Sequence, residues 1–278
     1  MAHSVVLARL RLAVLTLGAA ACVSACAGYL APRPEVYGFQ TVTITRDEIA
    51  VDLVLVKPTT PKPSPTLVMF ASGDGGLKGI SMEILQHLAD RGDHYVAGYS
   101  PHDVLANVES SGQRISYAQA VGILRWIIQQ AKQKLGMPAS APVIVAGISR
   151  GANMVVLAGS DRTLRSRLVG AVAISLTREL DYVEFPAGAA RPRGIQLDDE
   201  QRILTYPALT RLGTVPLAVI QSTNDSYVPS AESRQLLGPD TRTRRLYEIE
   251  SNTHSFGGGE DEMLRALDEA LDWIVGPR

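Results

Sequence analysis

Short runs of Val, Ile, Leu and Thr recur along this chain, separated by stretches whose apolar residues return every three or four positions. The first pattern predicts strands and the second helices, because side chains repeat with a period of two on a strand and 3.6 on a helix. Residues 40–45 and 49–57 predict two strands joined by a turn at Arg46-Asp47, close enough in sequence to pair antiparallel. After a proline-rich connection, 58–65, residues 66–71 form a continuous apolar run that suits a strand buried on both faces. The same reasoning predicts strands over 95–99, 142–146, 169–176, 216–221 and 244–249. It predicts helices over 80–89, 117–135, 152–158 and 263–275. In 117–135, Val121, Leu124, Ile127, Ile128 and Ala131 fall on one helical face. Strands alternating with helices imply a mostly parallel central sheet with helices on both faces, opened by an antiparallel strand pair. Residues 177–214 are too long for a simple connection and carry Pro186, Pro192 and Pro207, so they read as a lid or cap insertion.

The start of the chain follows another pattern. Arg9 and Arg11 are its only formal charges before Arg33, and an apolar stretch follows them. A basic start, a short apolar run and then small residues read as an export signal over residues 1–26. The run ends in Val23-Ser24-Ala25-Cys26, which resembles a bacterial lipobox in which the cysteine is acylated; Cys22 is a weaker competitor. The apolar run is short for a spanning helix, which needs about 20 residues. The expectation is a lipoprotein in the cell envelope, on the periplasmic side, held to a membrane through Cys26. Ala27 after that cysteine favours the outer membrane under the usual sorting pattern. Residues 27–39 then read as a tether and 40–278 as the folded domain. Both cysteines lie in the leader, so the domain holds no disulfide and no thiol nucleophile.

Composition narrows the function. The chain has 278 residues, 46% hydrophobic and 20% charged, enough for one substantial core. Its formal net charge of -1 gives no basic face for nucleic acid.

The chemistry gathers where predicted strands end. Strand 142–146 runs into Gly147-Ile148-Ser149-Arg150-Gly151, and a helix follows. This is G-x-S-x-G in the strand–turn–helix setting of a nucleophile elbow, which lifts a serine above the carboxyl edge of a sheet. A serine hydroxyl needs a base, and the base an orienting acid, in the chain order Ser, Asp or Glu, His. Asp225 follows the strand ending at Gln221, and His254 follows the strand ending at Ile249, so both emerge at the edge that carries Ser149. Glu179 or Asp181, after the preceding strand, are geometric alternatives for the acid. Among the other histidines, His87 falls inside a helical pattern and His94 at the opposite sheet edge. An oxyanion needs backbone donors. The expected pair is the N–H of Arg150 and one from the glycine run Ser72-Gly73-Asp74-Gly75-Gly76, with Asp74 favoured. Gly75, Gly76 and His102 are candidates for lining the substrate pocket. The glycine run lacks the Lys-Ser/Thr of a P-loop and the G-x-G-x-x-G spacing. No metal-ligand cluster stands out in the sequence, and the chemistry requires no cofactor.

These residues resemble the site pattern of the α/β-hydrolases. The glycine run before a helix, Gly147-Ile148-Ser149-Arg150-Gly151-Ala152, and the late Asp225 and His254 resemble the VirJ/AcvB virulence-protein domain, a periplasmic branch of that superfamily. The resemblance runs over most of residues 40–275. It departs at Leu77 and at Arg150, where the family usually has aromatic residues. The resemblance implies hydrolysis at the outer face of the cell membrane, with aminoacylated phospholipid as one suggested substrate. The expected activity is a serine esterase acting on a small-molecule or lipid ester. A peptidase or amidase using the same triad and a non-catalytic binding scaffold are the alternatives.

Overall fold

The computed structural model describes residues 39–60, 64–109, 115–186 and 188–276. The proposed leader, with Cys22 and Cys26, and the tether up to residue 38 lie outside the described residues.

The centre is an eight-stranded sheet. Its strands are β1 (Gln40–Arg46), β2 (Ile49–Val56), β3 (Leu67–Ala71), β4 (Tyr95–Tyr99), β5 (Val143–Ile148), β6 (Leu168–Ile174), β7 (Leu217–Ser222) and β8 (Arg244–Ile249). The spatial order is β1-β2-β4-β3-β5-β6-β7-β8. β2 is antiparallel to both its neighbours, and every other pairing is parallel. β1 and β2 form a hairpin whose last pair is Arg46 with Ile49, and Asp47 turns the corner at φ 53°. Positive φ is what the tight turns matching strand twist demand, and Asp tolerates it. Only Ile44 of β1 is buried, as befits an edge strand with one face in water. This strand order with one reversed strand is the α/β-hydrolase fold.

Alternation along the inner strands builds two cores from one sheet. Leu67, Met69, Val143 and Val145 enter the core on one face, whereas Val68, Phe70, Ile144 and Ala146 enter the other. The first face is covered by α3 (Tyr117–Leu135) and α4 (Asn153–Ser160), the second by α1 (Ile80–Asp90) and by a C-terminal helix, Glu260–Val275. Each large apolar side chain buried this way contributes about 1.5–3 kcal/mol. α3 spans the residues the periodicity predicts. Ser116 and Gln119 close a capping box at its start, and Gly136 ends it at φ 74°. All of α4 is buried, which explains why its sequence shows no polar stripe.

Three features depart from the pattern. β5 continues two residues past the predicted end, because Gly147 still pairs with Ala71 on one side and Ala173 on the other. A single 3-10 turn, Ser149–Ala152, then links it to α4. A further helix, α2 (Pro101–Glu109), is only nine residues long and was not predicted. Finally, 177–214 is tied down at several places. Glu179–Leu180 pairs with Ile203–Leu204, and Val183–Glu184 pairs with Ile115–Ser116. Leu180, Val183, Ile203, Tyr206 and Leu209 join the first core.

Candidate active site

Ser149 stands where β5 ends, at φ 54°. A non-glycine residue in that region is strained and persists only where its surroundings hold it. Here the flanking glycines do so. A Cβ on Gly147 would overlap the Gly151 carbonyl, and one on Gly151 would overlap the carbonyls of Ala71 and Ser72. The spacing G-x-S-x-G therefore reflects two backbone contacts that admit no side chain.

His254 follows β8 and Asp225 follows β7. The Nδ1 of His254 lies 2.7 Å from Oδ2 of Asp225, whose side chain is fully buried. The same carboxylate accepts from the N–H groups of Tyr227 at 2.7 Å and Val228 at 3.3 Å. Gln221, also fully buried, donates its amide to Oδ2 at 2.9 Å and to the Val228 carbonyl at 2.6 Å, and accepts from the Leu176 N–H at 3.1 Å. Asp225 is thus held by four donors and has no rotational choice left. Neither Glu179 nor Asp181 bonds to His254 among the described residues.

The histidine loop is anchored at its backbone. Ser175, at φ 48°, donates its hydroxyl to the His254 carbonyl at 2.6 Å. Ser251 donates to the Ser222 hydroxyl at 2.7 Å, and Asn224 to the Ser251 carbonyl at 2.7 Å, tying the loop after β7 to the loop after β8. Phe256 is buried at φ 62° and plugs the second core below. The exposed Tyr227 ring meets the His254 ring edge to face, 4.7 Å between centroids. The Nε2 of His254 is buried and has no hydrogen-bond partner among the described residues.

Ser149 opens onto two depressions. One is shared with Gly73, Asp74, Gly75, Tyr227 and His254. The other shares Asp74 and Tyr227 with the first, adds Arg150, Asn153, Thr177, Glu179, Asp181 and Arg202, and does not reach His254. Gly76 and His102 lie apart from both: with Gly75 they line a separate hollow beyond the glycine run. His102 is half exposed and 3.7 Å from Asp103. His87 pairs with Asp268 at 2.9 Å and His94 with Asp93 at 2.5 Å, away from Ser149. Arg150 forms an ion pair with Asp74 and lies over the Tyr182 ring, 5.3 Å from its centroid. Among the described residues no group of three His, Cys, Asp or Glu side chains converges as a metal site.

Sequence reasoning missed Gln221, Ser175 and Tyr227. A polar residue inside the apolar run Leu217-Ala218-Val219-Ile220-Gln221, four positions before the acid, was the available signal for the first. The other two had none, since their partners are distant in the chain.

Comparison with known proteins agrees with the fold. No family model and no curated protein matches the chain in sequence. Solved structures of α/β-hydrolase type do match in shape. Est1E from Butyrivibrio proteoclasticus superposes with a TM-score of 0.55 at 15% identity, covering 85% of this chain and 99% of that one. A propionate-bound thermophilic esterase from Thermogutta terrifontis gives 0.55 at 19%, covering 88% and 98%. An alpha-beta serine hydrolase homologue from Coxiella burnetii gives 0.54 at 11%, covering 84% and 97%. At these identities the likeness is one of fold.

Proposed function

We propose that this protein is an exported serine hydrolase that cleaves an ester through Ser149, His254 and Asp225. The observation that carries the reading is the strained serine at the sheet edge, sharing a pocket with a histidine whose Nδ1 is fixed by a buried carboxylate. His254 Nε2 takes the Ser149 proton as Oγ attacks the substrate carbonyl. The tetrahedral oxyanion accepts from the backbone N–H groups of Arg150 and Asp74. Gly73 is not the loop donor, because its N–H is engaged by the Ser81 hydroxyl at 3.3 Å. Collapse expels the alcohol, which takes the proton from His254, and leaves an acyl-enzyme. Water then repeats the sequence and regenerates the serine.

The histidine must reach the departing oxygen, so the leaving group occupies the depression that contains His254. The acyl group occupies the one lined by Arg150, Glu179 and Asp181. Of its three carboxylates Asp74 pairs with Arg150, and its other guanidinium, Arg202, pairs with Asp198. Glu179 and Asp181 then suit an acyl group bearing an amine, which supports an aminoacyl ester such as the aminoacyl-phospholipid implied by the VirJ/AcvB resemblance. A lipid anchor on Cys26 would hold the enzyme at the membrane where that lipid lies.

Labelling by a fluorophosphonate probe tests this directly. The parent protein is expected to label, and Ser149→Ala and His254→Ala are expected to lose the label. In cells the labelled species should sit in the membrane fraction and move to the soluble fraction in Cys26→Ala. A folded parent protein that stays unlabelled would leave a binding scaffold as the better reading.

A further inference from the structure

The two proposed oxyanion donors sit on segments that meet only in the folded state. Arg150 follows the nucleophile, and Asp74 lies in the loop after β3. The bases of both segments are fixed, since Ala71 pairs with Gly147 and Gly151 lies against the carbonyls of Ala71 and Ser72. Beyond its base the loop is Gly73-Asp74-Gly75-Gly76, three glycines around one aspartate. Glycine leaves a backbone with more freedom to lose than any other residue. Backbone bonds fix the ends of the loop: Ser72 N–H donates to the Tyr99 carbonyl at 3.0 Å, and Gly76 N–H donates to the Gly73 carbonyl at 3.1 Å, closing a turn with Asp74 and Gly75 at its tip.

At the tip of that turn Asp74 is tied further through its side chain. Its carboxylate meets Nε of Arg150, and the guanidinium rests on the Tyr182 ring, 5.3 Å from the centroid. The Arg150 side chain is 18% exposed and that of Asp74 63%. Burial raises the Tyr182 hydroxyl well above the ordinary tyrosine range, so the ring beneath Arg150 stays neutral.

From this geometry we infer that the Arg150–Asp74 ion pair is a clamp across the oxyanion hole, setting the separation of the two backbone donors, with Tyr182 as its seat. The inference rests on the serine-hydrolase reading. Donors act only when held about 2.7–3.1 Å from the developing oxyanion, so a glycine loop free to drift would lose much of its effect. Arg150 and Asp74 are therefore positioning residues through their side chains, separately from what their amides donate. Any substitution at either position except proline keeps the N–H, which makes positioning separable from donation.

The test uses the full chain, a fluorophosphonate probe and p-nitrophenyl acetate. Asp74→Ala, Asp74→Asn and Arg150→Ala should each lower the labelling rate and kcat by roughly tenfold to a hundredfold, with KM within about threefold. Thermal melting identifies variants that are folded, and the near-isosteric Asp74→Asn serves if an alanine variant is not. The double alanine variant should be no slower than the slower single one by more than about twofold, because both remove the same contact. Arg150→Lys should recover part of the rate. About 1 M NaCl should slow the parent protein and leave the variants unchanged, since the pair is open to screening. Parent-like labelling rates in the folded variants, additive losses, or a loss confined to KM would each overturn the clamp. A parent protein that does not label overturns the serine-hydrolase reading itself, and the clamp falls with it.

Discussion

Ser149 keeps a φ of 54° because the chain must leave β5 and enter a helix within one turn, while Gly147 and Gly151 press backbone against backbone. Asp225 and His254 are held in the same way, by contacts that leave them a single arrangement. The carboxylate accepts from His254, Gln221 and two N–H groups, so its Oδ2 cannot turn away from Nδ1. Replacing Asp225 by Asn preserves shape but turns one acceptor into a donor, which favours the wrong histidine tautomer. Asp225→Asn should lower kcat about 10³–10⁴-fold near neutral pH. Steady-state ester hydrolysis and a parallel melting curve would check it: a large kcat loss in a folded protein is expected, and an unchanged kcat would remove Asp225 from the mechanism.

Elements meet through long-range polar contacts as well as the two apolar cores. Arg91, just past α1, reaches Asp268 at 2.6 Å and Asp272 at 2.7 Å on the C-terminal helix, and Asp93 at 3.4 Å. Its side chain is 15% exposed, and the carboxylates around it raise the guanidinium further against the lowering effect of burial. Arg91→Met would leave Asp268 and Asp272 facing each other without their shared cation. Because Asp272 is itself 67% exposed and solvent-screened, the loss should be only about 1–2 kcal/mol. A denaturation midpoint lowered at constant slope would show it. The probe-labelling rate should stay at the parent level, since the contact lies toward the opposite edge of the sheet from Ser149. Slower labelling would mean that the C-terminal helix also positions the site.

The whole molecule places its chemistry at one edge of the sheet, where loops from β3, β5, β7 and β8 converge. The depression we propose for the acyl group is lined mostly by charged and polar side chains, so a long alkyl chain would desolvate them without pairing. Hydrolysis of p-nitrophenyl acetate should exceed that of p-nitrophenyl octanoate by about tenfold or more in kcat/KM, the scale of a few unfavourable methylene contacts. A preference for the octanoate would place the acyl group elsewhere.

The chain's own pattern determined the strands, most helices, the sheet class and the order Ser149, Asp225, His254. Periodicity records which side each residue turns to the core, and burial imposes it locally. α2 escaped because nine residues hold too few turns to repeat the helical period, and β5 outran its predicted end because its neighbours pair on through Gly147. Tertiary structure alone decided that Asp225, rather than Glu179 or Asp181, meets His254. It also decided that His102 lines a hollow separate from both depressions at Ser149, that Gln221 and Ser175 brace the acid and the histidine, and that Arg150 joins Asp74. Gln221 stands only four positions before Asp225, but the other contacts join residues far apart in the chain, and only the packing of one element on another sets such distances.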